Sequence, residues 1–122
     1  MIIFKDLCFD EHGMLSYAIH NGKRFFTNSP LWKINCNNNE YTIKDMESFT
    51  YSEYDNYIEL KWSSSEVNII VSVFYEDKYE FNIAVKSLNS EIENVVFPIF
   101  DDVNSISQDC QKKMAIKKKA IA

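Results

Sequence analysis

Side chains able to do acid–base, nucleophilic or metal chemistry are spread along this chain rather than clustered. Its two histidines, His12 and His20, fall in or beside turns, and neither has a Cys or second His at metal-ligand spacing. Both read as surface imidazoles. Acid pairs recur near turns: Asp10-Glu11, Asp45 with Glu47, Glu76-Asp77 and Asp101-Asp102. A glycosidase needs two carboxylates facing each other across a sugar, which linear spacing does not display. Asp101-Asp102 with Asn104 offers oxygen ligands for calcium, but lacks the loop glycine and the terminal bidentate acid of a calcium-binding motif. No nucleophile elbow surrounds Ser63-Ser64-Ser65, and no glycine-rich phosphate loop is present. Cys8, Cys36 and Cys110 are odd in number and widely spaced, with no CxxC, and are expected as reduced thiols. The expectation is no catalytic residue, no metal and no cofactor.

What remains is the chemistry of flat rings. Aromatic residues make up 15% of the chain, with seven Tyr, nine Phe and two Trp. Such rings stack on the apolar faces of sugars when a sheet presents them to solvent. Tyr57 alternates onto the face opposite Trp62, beside charged residues, and Tyr54 and Tyr75 lie near turns. Trp32 and Trp62 share faces with aliphatic neighbours, which directs them toward a core. The ligand-binding candidates are therefore Tyr54, Tyr57, Tyr75, Trp32 and Trp62, the two tryptophans being the pair that the pattern turns inward.

Strands must position these rings. Val67, Ile69, Val71 and Val73 occupy every second position, and Tyr79, Phe81, Ile83 and Val85 repeat the pattern after Glu76-Asp77-Lys78. Two such runs across a short polar break make an antiparallel hairpin. A third strand, from Ile92 to a stop at Pro98, is expected beside them. Earlier strands are expected at Ile2–Phe9, Met14–His20, Lys23–Thr27, Leu31–Cys36, Tyr41–Lys44, Glu47–Tyr54 and Tyr57–Trp62. Asn21-Gly22 is the strongest turn signal, since both residues accept the positive φ of a type I′ turn. The spacing predicts an all-β fold: an antiparallel β-sandwich of about ten strands over residues 1–100. Residues 101–122 form a polar, Lys-rich tail; Gln111 to Ala122 could form a short helix, marginal on its own, and the tail is expected either frayed or docked against the sheet through Met114, Ile116 and Ile121.

Net charge is −5, unevenly distributed. Five of the 13 basic residues lie between Lys112 and Lys119, leaving eight against all 18 acids in residues 1–111. A body this acidic repels phosphate backbones, so nucleic acid is not an expected partner. No apolar run approaches the length of a signal peptide or a transmembrane helix, and a cytoplasmic, non-membrane protein is expected.

The order of several pieces resembles a known family. Ser29-Pro30-Leu31-Trp32-Lys33-Ile34 is followed by Tyr57-Ile58-Glu59-Leu60-Lys61-Trp62, the Val67–Val73 strand, Tyr79-Glu80-Phe81-Asn82-Ile83-Ala84-Val85 and Ile92-Glu93-Asn94-Val95-Val96-Phe97-Pro98. Together they resemble the amino-terminal β-supersandwich, similar to galactose mutarotase, of large bacterial glycoside hydrolases. The resemblance implies that these pieces are mainly structural and that a catalytic barrel follows in such enzymes. A barrel takes about 200 residues or more, so this chain corresponds to a partial supersandwich and no catalytic residue carries over.

Two functions follow as expectations. One is a non-catalytic accessory or carbohydrate-binding domain. The other is a structural domain that docks on a partner, such as the missing catalytic domain, or self-associates through an uncovered edge or face. A small enzyme of mutarotase type is a third reading, and it would need His12 or His20 against an acid in one cleft.

Overall fold

The computed structural model describes residues 1–88, 91–99 and 114–120, with 26–29 and 114–120 at the level of the backbone. The fold is all-β, a sandwich-like assembly of three sheets around one core. The first sheet has the order β1-β2-β3-β4, from β1 (Ile2–Phe4), β2 (Leu7–Phe9), β3 (Leu15–His20) and β4 (Lys23–Ser29). A small sheet comprises β5 (Leu31–Cys36), β6 (Asn39–Tyr41) and β11 (Ile92–Ile99), ordered β11-β5-β6. The largest is ordered β12-β10-β9-β8-β7, from β7 (Ser48–Glu53), β8 (Tyr57–Ser63), β9 (Val67–Tyr75), β10 (Tyr79–Ser87) and β12 (Met114–Ala120).

Alternation dictates this arrangement. Along β8, β9 and β10 every second side chain is buried: Ile58, Leu60 and Trp62, then Val67 through Val73, then Tyr79 through Val85. The ladders align these residues into cross-strand rows on the inner face, Phe49–Trp62–Ile69–Val85 and Tyr51–Leu60–Val71–Ile83. Opposite them lie Phe4, Leu7, Phe9 and Leu15 of the first sheet and Leu31, Trp32, Ile34 and Phe97 of the small one. One face of each sheet is dry because its side chains are removed from water there, at about 1.5–3 kcal/mol for each large apolar residue.

Four expectations need correction. The opening strand is a hairpin: Lys5 adopts a positive φ of 54°, Ile2 pairs with Phe9, and the Asp6 carbonyl accepts from the Ile19 amide at 2.8 Å. An eight-residue strand becomes two because this turn folds both apolar ends, Phe4 and Leu7, into the same core. Tyr41–Lys44 is not one strand. The Asp45 carboxylate accepts from the Thr42 amide at 2.8 Å and closes a 3₁₀ turn over Ile43–Asp45. Ile92–Ile99 is not the third member of the central hairpin but pairs antiparallel with β5, its register shifting on both sides of the Asn94–Val96 segment. Finally, Met114–Ala120 is not helical. It pairs parallel with β10, Tyr79 opposite Met114 and Val85 opposite Ala120, because an isolated helix of a dozen residues is marginal while an open ladder satisfies every backbone group it meets. Asp101, Asp102, Asn104 and Cys110 lie outside the described residues.

Gly13 shows how tightly the layers close. Its φ is +84°, and a Cβ there would lie 2.5 Å from Trp62 Cζ2 and 2.6 Å from Phe49 Cε1. Gly22, in the predicted Asn21-Gly22 turn, has φ +76° and nothing within 4 Å. Gly13→Ala is expected to cost about 2–4 kcal/mol in urea unfolding, combining backbone strain with overpacking, against about 1 kcal/mol for Gly22→Ala.

Candidate functional site

Two features of the large sheet's periphery stand out, both at its β7 end. The first is an aromatic column on the outer face. Tyr54 follows β7, Tyr57 opens β8 and Phe74 is near the end of β9; the Tyr54 amide donates to the Tyr57 carbonyl at 2.8 Å, and Tyr57 pairs with Phe74 across the ladder. Their rings stack, Tyr54 on Tyr57 with centroids 4.4 Å apart at 13°, and Tyr57 on Phe74 at 4.8 Å and 22°. Stacking in this direction covers the ring faces with one another. The column therefore offers the far face of Tyr54, which is 47% exposed, and the ring edges, rather than a row of open platforms. Beside it is a depression of about 240 Å³ lined by Asn56, Phe74, Tyr75, Glu76, Asp77, Lys78 and Glu80.

Of the five predicted ring residues, the fold brings Tyr54 and Tyr57 together and sets Tyr75 nearby. Tyr75 is half-buried and packs on Tyr79 at 4.5 Å, and the Tyr79 hydroxyl accepts from the Asp6 amide at 2.8 Å. Trp32 and Trp62 are withdrawn from the ligand-binding set. They are 0% and 2% exposed and meet edge to face at 5.7 Å, so neither has a ring face to give to a ligand. Trp62 Nε1 donates to the His12 carbonyl at 2.8 Å, while Trp32 Nε1 has no hydrogen-bond partner among the described residues. Phe74, the third ring of the column, is the member that sequence reasoning missed; its place opposite Tyr57 in the β8–β9 register was the signal that could have found it.

The histidines lie on the surface. His12 Nε2 is 3.5 Å from Glu11 Oε1, with both side chains largely exposed, and His20 pairs with Lys23 across the Asn21-Gly22 turn. Cys8 and Cys36 are buried and form no disulfide among the described residues, and the Cys36 thiol lies 3.3 Å from Ser87 Oγ. Among the described residues no group of three or more His, Cys, Asp or Glu side chains is arranged to hold a metal ion, and no helix is long and apolar enough to cross a membrane.

The second feature is the outer edge of β7, which pairs with no strand among the described residues. Because the Tyr54–Tyr57 pair is hydrogen-bonded, the alternation of an antiparallel ladder turns the backbone of Ser48, Thr50 and Ser52 toward β8. The N–H and C=O groups of Phe49, Tyr51 and Glu53 therefore point away from the sheet. Other sheet edges carry the usual guards against pairing. β12 contains Lys117, Lys118 and Lys119, β11 contains Pro98 and two register shifts, β4 begins with Lys23-Arg24, and β1 and β6 are three residues long. β7 is six residues long, pairs with β8 in unbroken register, and has neither Lys nor Pro; its one charge is Glu53. Tyr51 on it is 51% exposed although it belongs to the inner-face row.

Against known proteins, the chain matches no family model, no curated protein and no solved structure.

The Tyr57 hydroxyl is held above the ordinary tyrosine range, first by desolvation among its neighbours, then by the nearby Tyr54 and Glu59 charges and its hydrogen bond with Tyr54. A raised folded value favours the neutral phenol. The associated stability is thus present below the ordinary value of 10.0 and is lost as pH rises through the folded one. Glu59→Gln should move Tyr57 ionisation downward in an ultraviolet tyrosinate titration. Tyr57→Phe should lose less stability than the parent between neutral and strongly alkaline pH.

Proposed function

We propose that this domain is a non-catalytic interaction module whose recognition surface is the β7 edge, which accepts an extended strand from a protein partner. The observation that carries the reading is the contrast between β7 and the other edges: it is long, regular and without Lys, Pro or bulge. Strand addition supplies affinity through main-chain hydrogen bonds and selectivity through alternate side chains. Here the alternate positions next to an incoming strand are Phe49, Tyr51 and Glu53 on one face and Thr50 and Ser52 on the other. A panel of soluble decapeptides of alternating β-branched and charged residues is the probe. Hydrogen exchange at the Phe49, Tyr51 and Glu53 amides should slow by about tenfold or more on pairing, while amides in the interior of β9 stay unchanged. No change at those three amides with any peptide would defeat the reading.

A carbohydrate-binding role is the second reading, and the observation that favours it is the exposed face of Tyr54 next to the polar depression lined by Asn56, Glu76, Asp77 and Glu80. Kinship with the glycoside-hydrolase supersandwich belongs to this proposal. Its support is that the motif residues Trp32, Trp62 and Phe97 are buried, as structural pieces of such a domain would be. Tyr54→Ala should abolish any glycan-array or calorimetric signal, and a signal that survives it would place the sugar elsewhere.

A further inference from the structure

We propose that Tyr54 and Tyr57 form an oxidative modification site, at which a peroxide-driven one-electron oxidant joins the two rings into a dityrosine within one chain. The two rings stack with centroids 4.4 Å apart and planes 13° from parallel. Their hydroxyls interact, so the rings lie in the same sense, hydroxyl beside hydroxyl. The carbons ortho to each hydroxyl, where a phenoxyl radical carries spin, therefore lie next to one another. Tyr54 is 47% exposed, which gives an oxidant its point of attack.

The surroundings single out this pair among the seven tyrosines. Tyr51 is equally open, at 51%, but the ring stacked on it is Phe49, which has no hydroxyl to oxidise, and Tyr51 belongs to the inner-face row rather than the outer face. Tyr75 and Tyr79 are as close as Tyr54 and Tyr57, at 4.5 Å. Their planes are tilted by 41°, Tyr79 is buried, and its hydroxyl is occupied by the Asp6 amide. Tyr17 lies beneath the Arg24 guanidinium, whose positive charge opposes loss of an electron from the ring. On its other side Tyr57 meets Phe74, so Tyr54 is the one phenol stacked on it.

The step balances with hydrogen peroxide as the oxidant. Tyr54 and Tyr57 each give up one electron and the hydroxyl proton. The two radicals form a carbon–carbon bond between ortho carbons, and each ortho hydrogen then moves to its ring oxygen, restoring both phenols. The pair has lost two hydrogens, and peroxide takes them up to become two waters. Holding the partners together replaces a chance encounter between chains by an intramolecular one. Tyr54 lies just beyond β7, beside the Asp55-Asn56 turn, so its ring can swing from the stack into the bonded geometry without disturbing a ladder. The bond ties β7 to β8 at their turn.

Hydrogen peroxide with a haem peroxidase, applied to the dilute full chain, tests this. The expected product is a single chain lighter by two hydrogens, with the blue fluorescence of a biphenol. Trypsin releases residues 45–61, which contain Tyr51, Tyr54 and Tyr57, and cleavage before Asp55 should leave the two halves of that peptide joined. Tyr54→Phe and Tyr57→Phe should each lower the initial rate of fluorescence gain by about tenfold or more, because the remaining phenols must meet between chains. Tyr51→Phe should react like the parent, and all three variants should keep the parent's circular dichroism. A bond that maps to Tyr51, a product joined only between chains, or parent-like fluorescence in Tyr54→Phe would each overturn the site. So would a chain that gains oxygen or stays unchanged under conditions that convert free tyrosine to dityrosine.

Discussion

Trp62 is the side chain on which the three sheets converge. It hangs from β8, meets Trp32 of the small sheet edge to face, leans on Phe49 at 5.3 Å, and donates its indole N–H to the carbonyl of His12 in the loop between β2 and β3. Gly13 follows His12 because nothing larger fits above the indole at that distance. A buried aromatic of this size is worth about 3–5 kcal/mol when truncated. Here the same ring also joins the large sheet, the small sheet and the β2–β3 loop. The polar end of the indole is satisfied by backbone, so its burial carries no desolvation penalty left unmatched.

The large sheet's periphery follows from what this centre leaves over. Inner-face positions are filled where a second layer lies over them, from Trp62 across Ile69 to Val85. At β7 that cover runs out: Phe49 still leans on Trp62, but Tyr51 is half open and Glu53 is exposed. On the outer face, Tyr54, Tyr57 and Phe74 bury ring surface against each other, with no opposing layer among the described residues. Self-stacking is a way for a wet sheet face to tolerate aromatic residues. It also explains why three adjacent rings, covering one another, do not present a broad sugar platform.

Interaction through an edge and recognition at a ring face, as proposed, would be different uses of one corner of the molecule. Main-chain groups of Phe49, Tyr51 and Glu53 project in the plane of the sheet, while Tyr54 projects from its outer surface. A strand added at β7 would pass beside Tyr54 and change the access to it, so occupancy of the edge and of the ring face would be linked without any movement of the core.

Local patterning alone determined much of this protein. Period-two alternation of Val, Ile and Phe specified β9 and β10 and their hairpin, Asn21-Gly22 specified the β3–β4 turn, and the aliphatic company of Trp32 and Trp62 specified their burial. These are short-range properties, fixed by side-chain direction and turn dihedrals. Pairing between distant segments was decided only in three dimensions. Alternation is identical whether β11 lies beside β10 or beside β5, and the Lys-rich terminus has no intrinsic preference strong enough to resist an open β10 edge. Nor does a chain reveal which strand will be last in its sheet. The edge position of β7 among the described strands and the mutual stacking of Tyr54, Tyr57 and Phe74 depend on segments that are apart in sequence, and only packing establishes which of them become neighbours.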